Sequence, residues 1–181
     1  EIYDRSIETN SQIRIQLFQF FPFLIASVLT GIMAFFYSRI FHYAESLSFY
    51  IYNQHKASIF ISTPLAFIIS WWLVHVYARF AKGSGIPQVM AAIELAQPTK
   101  KHLIPLFISP RIIVIKIISS AVKVVGGGIV GREGPTIQIS SSIFNQVYKW
   151  LPNWCQPISQ KNILLAGASS GLASAFNTPL G

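Results

Sequence analysis

Long apolar blocks alternate with short polar breaks along this chain, and the blocks are of two kinds. The first kind is long enough to cross a bilayer. Leu17 to Phe41 is one such block, with Pro22 near its start, Gly31 inside it, and Arg39 and His42 at its far end. Ser58 to Ala81 is the other; it carries Pro64 and the pair Trp71-Trp72 and closes on Arg79 and Lys82. A helix rises about 1.5 Å per residue, so about 20 residues cross the hydrocarbon, and the first block has length to spare for tilt. Residues 1–12 ahead of it are polar and charged. Residues 43–57 read as a polar connection rich in tyrosine, a composition suited to a membrane interface.

The second kind is shorter or interrupted. Ile86 to Ala96 is apolar but too short to span, and Leu103 to Val130 contains Pro105, Pro110, Arg111, Lys116 and Lys123. Ile137 to Leu151 is again short, and Ile163 to Ala175 follows a loop with Pro152 and Pro157. Short helices broken by glycine and proline mark transporters whose binding site forms where broken helices meet near the midplane. The pattern predicts an all-α polytopic membrane protein with tilted and broken helices.

Composition strengthens that reading, with 52% apolar and 11% charged residues, against about 25% charged in a soluble domain. The net charge of +8 does not indicate nucleic acid: the basic residues are scattered, and only Lys100 and Lys101 are adjacent. Placing Arg5, Arg14, Arg79, Lys82, Lys100 and Lys101 inside, and Arg39, Lys56, Lys149 and Lys161 outside, favours a cytoplasmic amino terminus. The lone Cys155 excludes an intramolecular disulfide, and the four histidines have no metal-site spacing. No signal peptide is expected, because the first span is too long and too aromatic for one. There is no initiator methionine, and the chain stops at Thr178-Pro179-Leu180-Gly181, so it reads as a piece of a longer protein.

The chemistry concentrates in two glycine-bounded motifs. Gly131-Arg132-Glu133-Gly134-Pro135 puts a charged pair between glycines in a region otherwise written for lipid or an apolar core. Ionisable groups at membrane depth are costly and mark ion or proton pathways, and irregular backbone there is tolerated only around a cavity or inside protein. Upstream stands Gly83-Ser84-Gly85-Ile86-Pro87. Ser84 reads as the N-cap of a short helix, whose unpaired amides and positive dipole end can hold an anion without a full positive charge. The alternative is a plain N-cap with Pro87 in the first turn. Glu133 also opens a helix, where an anion is favoured; it could occupy the anion position when ionised and vacate it when protonated. Its alternatives are an ion pair with Arg132 or a capping carboxylate.

These two pentapeptides, followed by Gly167-Ala168-Ser169-Ser170-Gly171 and the segment running to Leu180, resemble the CLC family of chloride channels and chloride/proton exchangers. The resemblance covers roughly Ile15 to Gly181. It implies a 1–14 cytoplasmic segment and a 15–181 membrane repeat, the first half of an inverted-repeat fold. It also implies chloride as the transported ion, with Gly83, Ser84, Gly85, Ile86, Arg132, Glu133 and Gly134 as the anion site. In that family the serine hydroxyl contacts chloride and the glutamate is the external gate and proton carrier; Arg132 would hold backbone and tune potential without touching the ion. The resemblance further implies exchange of chloride for protons, or passive conduction as the alternative, by a homodimer surrounded by lipid, with no cofactor and no enzymatic activity. In the family an internal glutamate beyond the Asn-x-Pro-Leu segment separates exchanger from channel. One departure is Gln88, where many members carry glutamate after GSGIP; it puts proton uptake from the inside in question. Serine in GSGIP favours chloride, or nitrate, over fluoride.

A reading of another class is a membrane-embedded enzyme that cradles phosphate on Gly126-Gly127-Gly128 and Gly83-Ser84-Gly85, although the third glycine of a dinucleotide loop and a Gly-Lys-Ser/Thr are both missing. Lys116 and Lys123, seven apart, lie near one helical face; they raise the potential of a pore or snorkel to an interface. His75 reads as a packed, hydrogen-bonded histidine. Gly167 and Gly171 allow close helix packing within the subunit, and Trp71 and Trp72 face lipid or the interface.

Overall fold

The computed structural model describes residues 2–150, 158–176 and 178, the side chains from residue 20 onward. Cys155 and the Asn177, Pro179 and Leu180 of the last motif lie outside the described residues. Among the described residues the fold is all-α. Its helices are α1 (Ile2–Gln54), α2 (Ile59–Tyr77), α3 (Ile86–Glu94), α4 (Ile104–Phe107), α5 (Pro110–Val125), α6 (Glu133–Trp150) and α7 (Gln160–Phe176).

Helix α1 overturns the predicted break after Phe41. It runs 53 residues without interruption, so the expected polar connection shrinks to His55 and a short turn at Lys56–Ser58. The stretch from Tyr43 to Gln54 contains neither glycine nor proline to stop it, and Ala44 continues the buried stripe begun by Ala26, Thr30, Tyr37 and Phe41. On the opposite side Phe20, Leu24, Val28, Ile32 and Phe36 recur every fourth residue and stand exposed. A helix apolar on both faces, with one face packed on protein and the other left uncovered, is built for lipid. Phe20–Gln54, Lys56–Tyr77 and Lys101–Val125 are long and apolar enough to cross a membrane, and Trp71 and Trp72 face outward as expected. The chain is an integral, multi-pass membrane protein.

The block from Leu103 to Val130 divides at Ile108-Ser109. Both residues are extended, as the residue before a proline prefers to be, and Pro110 then opens α5 from its first turn. At the other end the glycine run closes α5. The Gly128 amide donates to Lys123 O and the Gly127 amide to Val124 O, each at 2.9 Å, with Gly127 at φ 81°. This is a Schellman closure. Its amides are already engaged, so the phosphate-cradle reading of Gly126-Gly127-Gly128 fails.

Helix α6 begins at Glu133, as its motif predicted, and is the most enclosed element, buried continuously from Gly134 to Asn145. Its buried residues include Thr136, Gln138, Ser140, Ser141, Ser142 and Asn145. In a membrane such groups act as glue between helices. Ser140 Oγ donates to Gly167 O at 2.6 Å and lies 3.2 Å from Thr30 Oγ1 of α1; Gln160 Nε2 donates to Asn145 Oδ1 at 2.9 Å. Helix α7 packs on α6 through two glycines, as expected: a Cβ on Gly167 would stand 2.8 Å from Ser141 Cα, and one on Gly171 2.8 Å from Ile137 Cα. His75 departs from expectation. It sits on the exposed side of α2, stacked on Trp71 at 5.0 Å between ring centroids, because the inner face of α2 is taken by Ala66, Ser70 and Val74.

Candidate functional site

The loop from Ala78 to Gly85 positions the first motif. A short turn at Arg79–Ala81 follows α2, and Lys82 then extends at φ −67°, ψ 154°. Gly83 (φ 75°) and Gly85 (φ 106°) adopt left-handed backbone, which costs a side-chain-bearing residue about 1–2 kcal/mol. Helix α3 starts directly after, with Pro87 in its first turn. Its N-cap is Gly85, and no side chain caps it. This corrects the predicted role of Ser84, which stands one residue ahead of the cap. The positive φ at Gly85 swings the preceding residue off the helix end, so the plain N-cap reading fails. The Ser84 side chain is exposed, and its hydroxyl has no partner among the described residues.

The second motif opens α6 directly beside it. A Cβ on Gly134 would fall 2.5 Å from Ser84 O and 3.0 Å from Ser84 Cβ; a Cβ on Gly85 would fall 2.9 Å from Gly134 O. Any residue but glycine at either place would drive the two helix starts apart. Two positive helix ends therefore converge in a place framed by apolar sequence. Among the described residues the amides of Gly83, Ser84, Gly85, Ile86, Glu133 and Gly134 donate to no protein acceptor. Converging unpaired amides and a hydroxyl are what an anion needs.

The charged pair of the second motif separates. Arg132 turns to α1, donating from Nη1 to Ser38 Oγ at 3.1 Å, with its guanidinium 5.8 Å from the centre of the Phe41 ring. Glu133 is half-buried and folds back on its own loop, Oε2 lying 2.7 Å from where a Cβ on Gly131 would stand. Among the described residues the two form no ion pair with each other, which removes that alternative. The predicted set is thus brought together at Gly83, Ser84, Gly85, Glu133 and Gly134, with Ile86 in the first turn of α3, while Arg132 anchors the loop from outside.

Sequence reasoning missed part of the assembly. Lys116 does not snorkel: it is 3% exposed, and its ammonium donates to Ala81 O at 2.9 Å and Gly83 O at 2.7 Å. Gln138, fully buried, donates to Phe80 O at 3.2 Å and Phe107 O at 3.0 Å. Gln88, noted only for its departure from glutamate, donates to Lys82 O at 2.7 Å. The sole sequence signal was a lysine and a glutamine inside apolar segments.

Comparison with known proteins agrees with this architecture. Residues 65–181 match the family described as voltage gated chloride channel. The chain is 28% identical over 163 residues to proteins named H(+)/Cl(−) exchange transporter ClcA from Salmonella arizonae, Salmonella paratyphi B and Salmonella newport, covering 86% of this chain and 33% of each relative. It therefore spans about a third of the length of these curated relatives. No solved structure gives a significant match.

Proposed function

This chain belongs to the voltage gated chloride channel family, and from that premise we propose that it carries part of the anion site of a membrane transporter that moves chloride in exchange for protons. The carrying observation is the backbone contact of Gly85 with Gly134, which sets the starts of α3 and α6 against each other beside the Ser84 hydroxyl. Hydroxyl and amides would bind chloride by hydrogen bonds alone, weakly enough to release it. Arg132, engaged with Ser38 and Phe41, would add potential without contact.

Glu133 is the gate in this reading. From residue 95 to residue 181 it is the only carboxylate, and it stands at the positive end of α6, where chloride would also bind. Ionised, it competes with the ion; protonated, it withdraws, carrying the proton. The name of the Salmonella relatives supports exchange. A passive channel is the second reading, favoured by Gln88, which is neutral where an inward carboxylate would take up protons. Whole-protein partners in this proposal are chloride, protons, lipid and a second copy of the chain.

The test is chloride efflux and proton uptake recorded together from vesicles containing the full-length protein. Coupled movement supports exchange, chloride movement alone supports the channel, and absence of both overturns the proposal. Ser84→Ala should weaken chloride binding in calorimetry; unchanged affinity and anion selectivity would remove Ser84 from the site.

A further inference from the structure

Four consecutive carbonyls lead into the Ser84 turn, and each is taken by a side chain reaching in from another element. Phe80 O accepts from Gln138 Nε2 at 3.2 Å and Ala81 O from Lys116 Nζ at 2.9 Å. Lys82 O accepts from Gln88 Nε2 at 2.7 Å and Gly83 O again from Lys116 Nζ at 2.7 Å. The donors come from α6, α5 and α3, so no local rule of the loop produces this pattern.

Its physical sense lies in the two edges of a peptide chain. A carbonyl oxygen repels an anion and an amide hydrogen attracts it, so the loop serves an anion only while it offers the second edge. Gly83 and Gly85 make the loop easy to turn over, because glycine populates both signs of φ about equally. Something must hold the chosen orientation. Lys116 meets that need at the cost of burying an ammonium, tolerable because two short charge-assisted bonds receive it. Gln138 does it without charge. Its amide cannot be exchanged end for end, since that would set its oxygen against two carbonyl oxygens. Its Oε1, which has no partner, then lies 2.9 Å from where a Cβ on Gly85 would stand.

We propose that Lys116 and Gln138 are positioning residues that hold the carbonyl edge of residues 80–83 inward: Lys116, on Gly83 O, turns the amide of the same peptide, that of Ser84, toward the ion, and Gln138, on Phe80 O, anchors the start of the loop on α6. The inference rests on the anion reading of Ser84, and it separates two roles for Lys116. As a point charge it would act on chloride through space. As a clamp it acts through the backbone, together with a neutral residue that has no field of its own.

The experiment uses the full-length protein in detergent. Chloride binding is titrated by calorimetry, and amide hydrogen exchange across residues 80–90 is followed with chloride absent. Lys116→Met and Gln138→Met should each speed exchange about tenfold at the hydrogen-bonded amides of Ala81 and Val89, which flank the turn, as expected for a loop released into local opening, and each should weaken chloride binding by about tenfold. Lys116→Arg, which keeps charge and donors, should stay close to the unmodified protein in both readouts. Weaker binding in Lys116→Met alone, with exchange unchanged and Gln138→Met indistinguishable from the unmodified protein, overturns the clamp in favour of a point charge. Should Lys116→Met fail to fold, Gln138→Met decides: unchanged exchange and affinity refute the proposal. An unmodified protein that binds no chloride refutes the anion reading instead, and the exchange measurement still reports on the clamp.

Discussion

Ser84 O and the α-carbon of Gly134 are in contact: a β-carbon on Gly134 would sit 2.5 Å from that oxygen. No rotamer relieves such an overlap, since both partners are backbone. Gly134→Ala should therefore separate the starts of α3 and α6, costing about 1–3 kcal/mol as an overpacked contact. Chloride affinity of the full-length protein should fall by tenfold or more, read by calorimetry. A normal affinity would mean the two helix ends do not share one ligand.

Replacement of Glu133 by glutamine copies the protonated side chain in charge and nearly in shape. In the unmodified protein chloride flux should rise as external pH falls, because protonation removes the competing anion. Glu133→Gln should conduct chloride at all pH values, lose coupled proton movement, and show a flat pH response. Paired flux records in vesicles decide this, and retained proton coupling would reduce Glu133 to a structural cap.

The α6–α7 contact makes a stability prediction. A methyl on Gly171 would meet Ile137 Cα at 2.8 Å and Thr136 O at 3.0 Å, so Gly171→Ala should destabilise by about 1–3 kcal/mol. Thermal unfolding in detergent checks it. Gly31, with nothing within 4 Å of its would-be Cβ, is the control position where alanine should be neutral or better.

Tyr37 Oη donates to Ser120 Oγ at 3.1 Å between α1 and α5. Both residues are buried. Tyr37→Phe should cost about 1 kcal/mol, the ordinary net worth of such a bond, and leave chloride affinity unchanged because neither hydroxyl hydrogen-bonds to either motif. A large effect on affinity with no effect on stability would contradict the arrangement.

The motifs, the span of α2, and the short α3 and α7 were legible in sequence because each depends on nearby residues: glycine, proline and runs of apolar side chains. What escaped depended on distance. Nothing in Tyr43–Gln54 announces that α1 continues, since its tyrosines and serines suit an interface as well as a helix end. Whether Ser84 caps α3 turns on the sign of φ at Gly85, and glycine permits both. The partners of Lys116 and Gln138 lie 33 and 58 residues away in chain, so their roles exist only once α5 and α6 have packed. The sequence left an Arg132–Glu133 ion pair open as an alternative, and only the fold shows the two side chains sent to different neighbours.

The polar interior of α6 bears on how the protein is made. A helix carrying Gln138, Asn145 and a row of buried serines is not among the segments apolar enough to cross a membrane, and such a segment partitions poorly into lipid by itself. Its side chains find their partners on α1 and α7 and on the backbone at Phe80, Phe107 and Ile108. Biogenesis must then follow an order: α1, α2 and α5 enter the bilayer first, and α6 enters against them, sheltered by neighbours already in place.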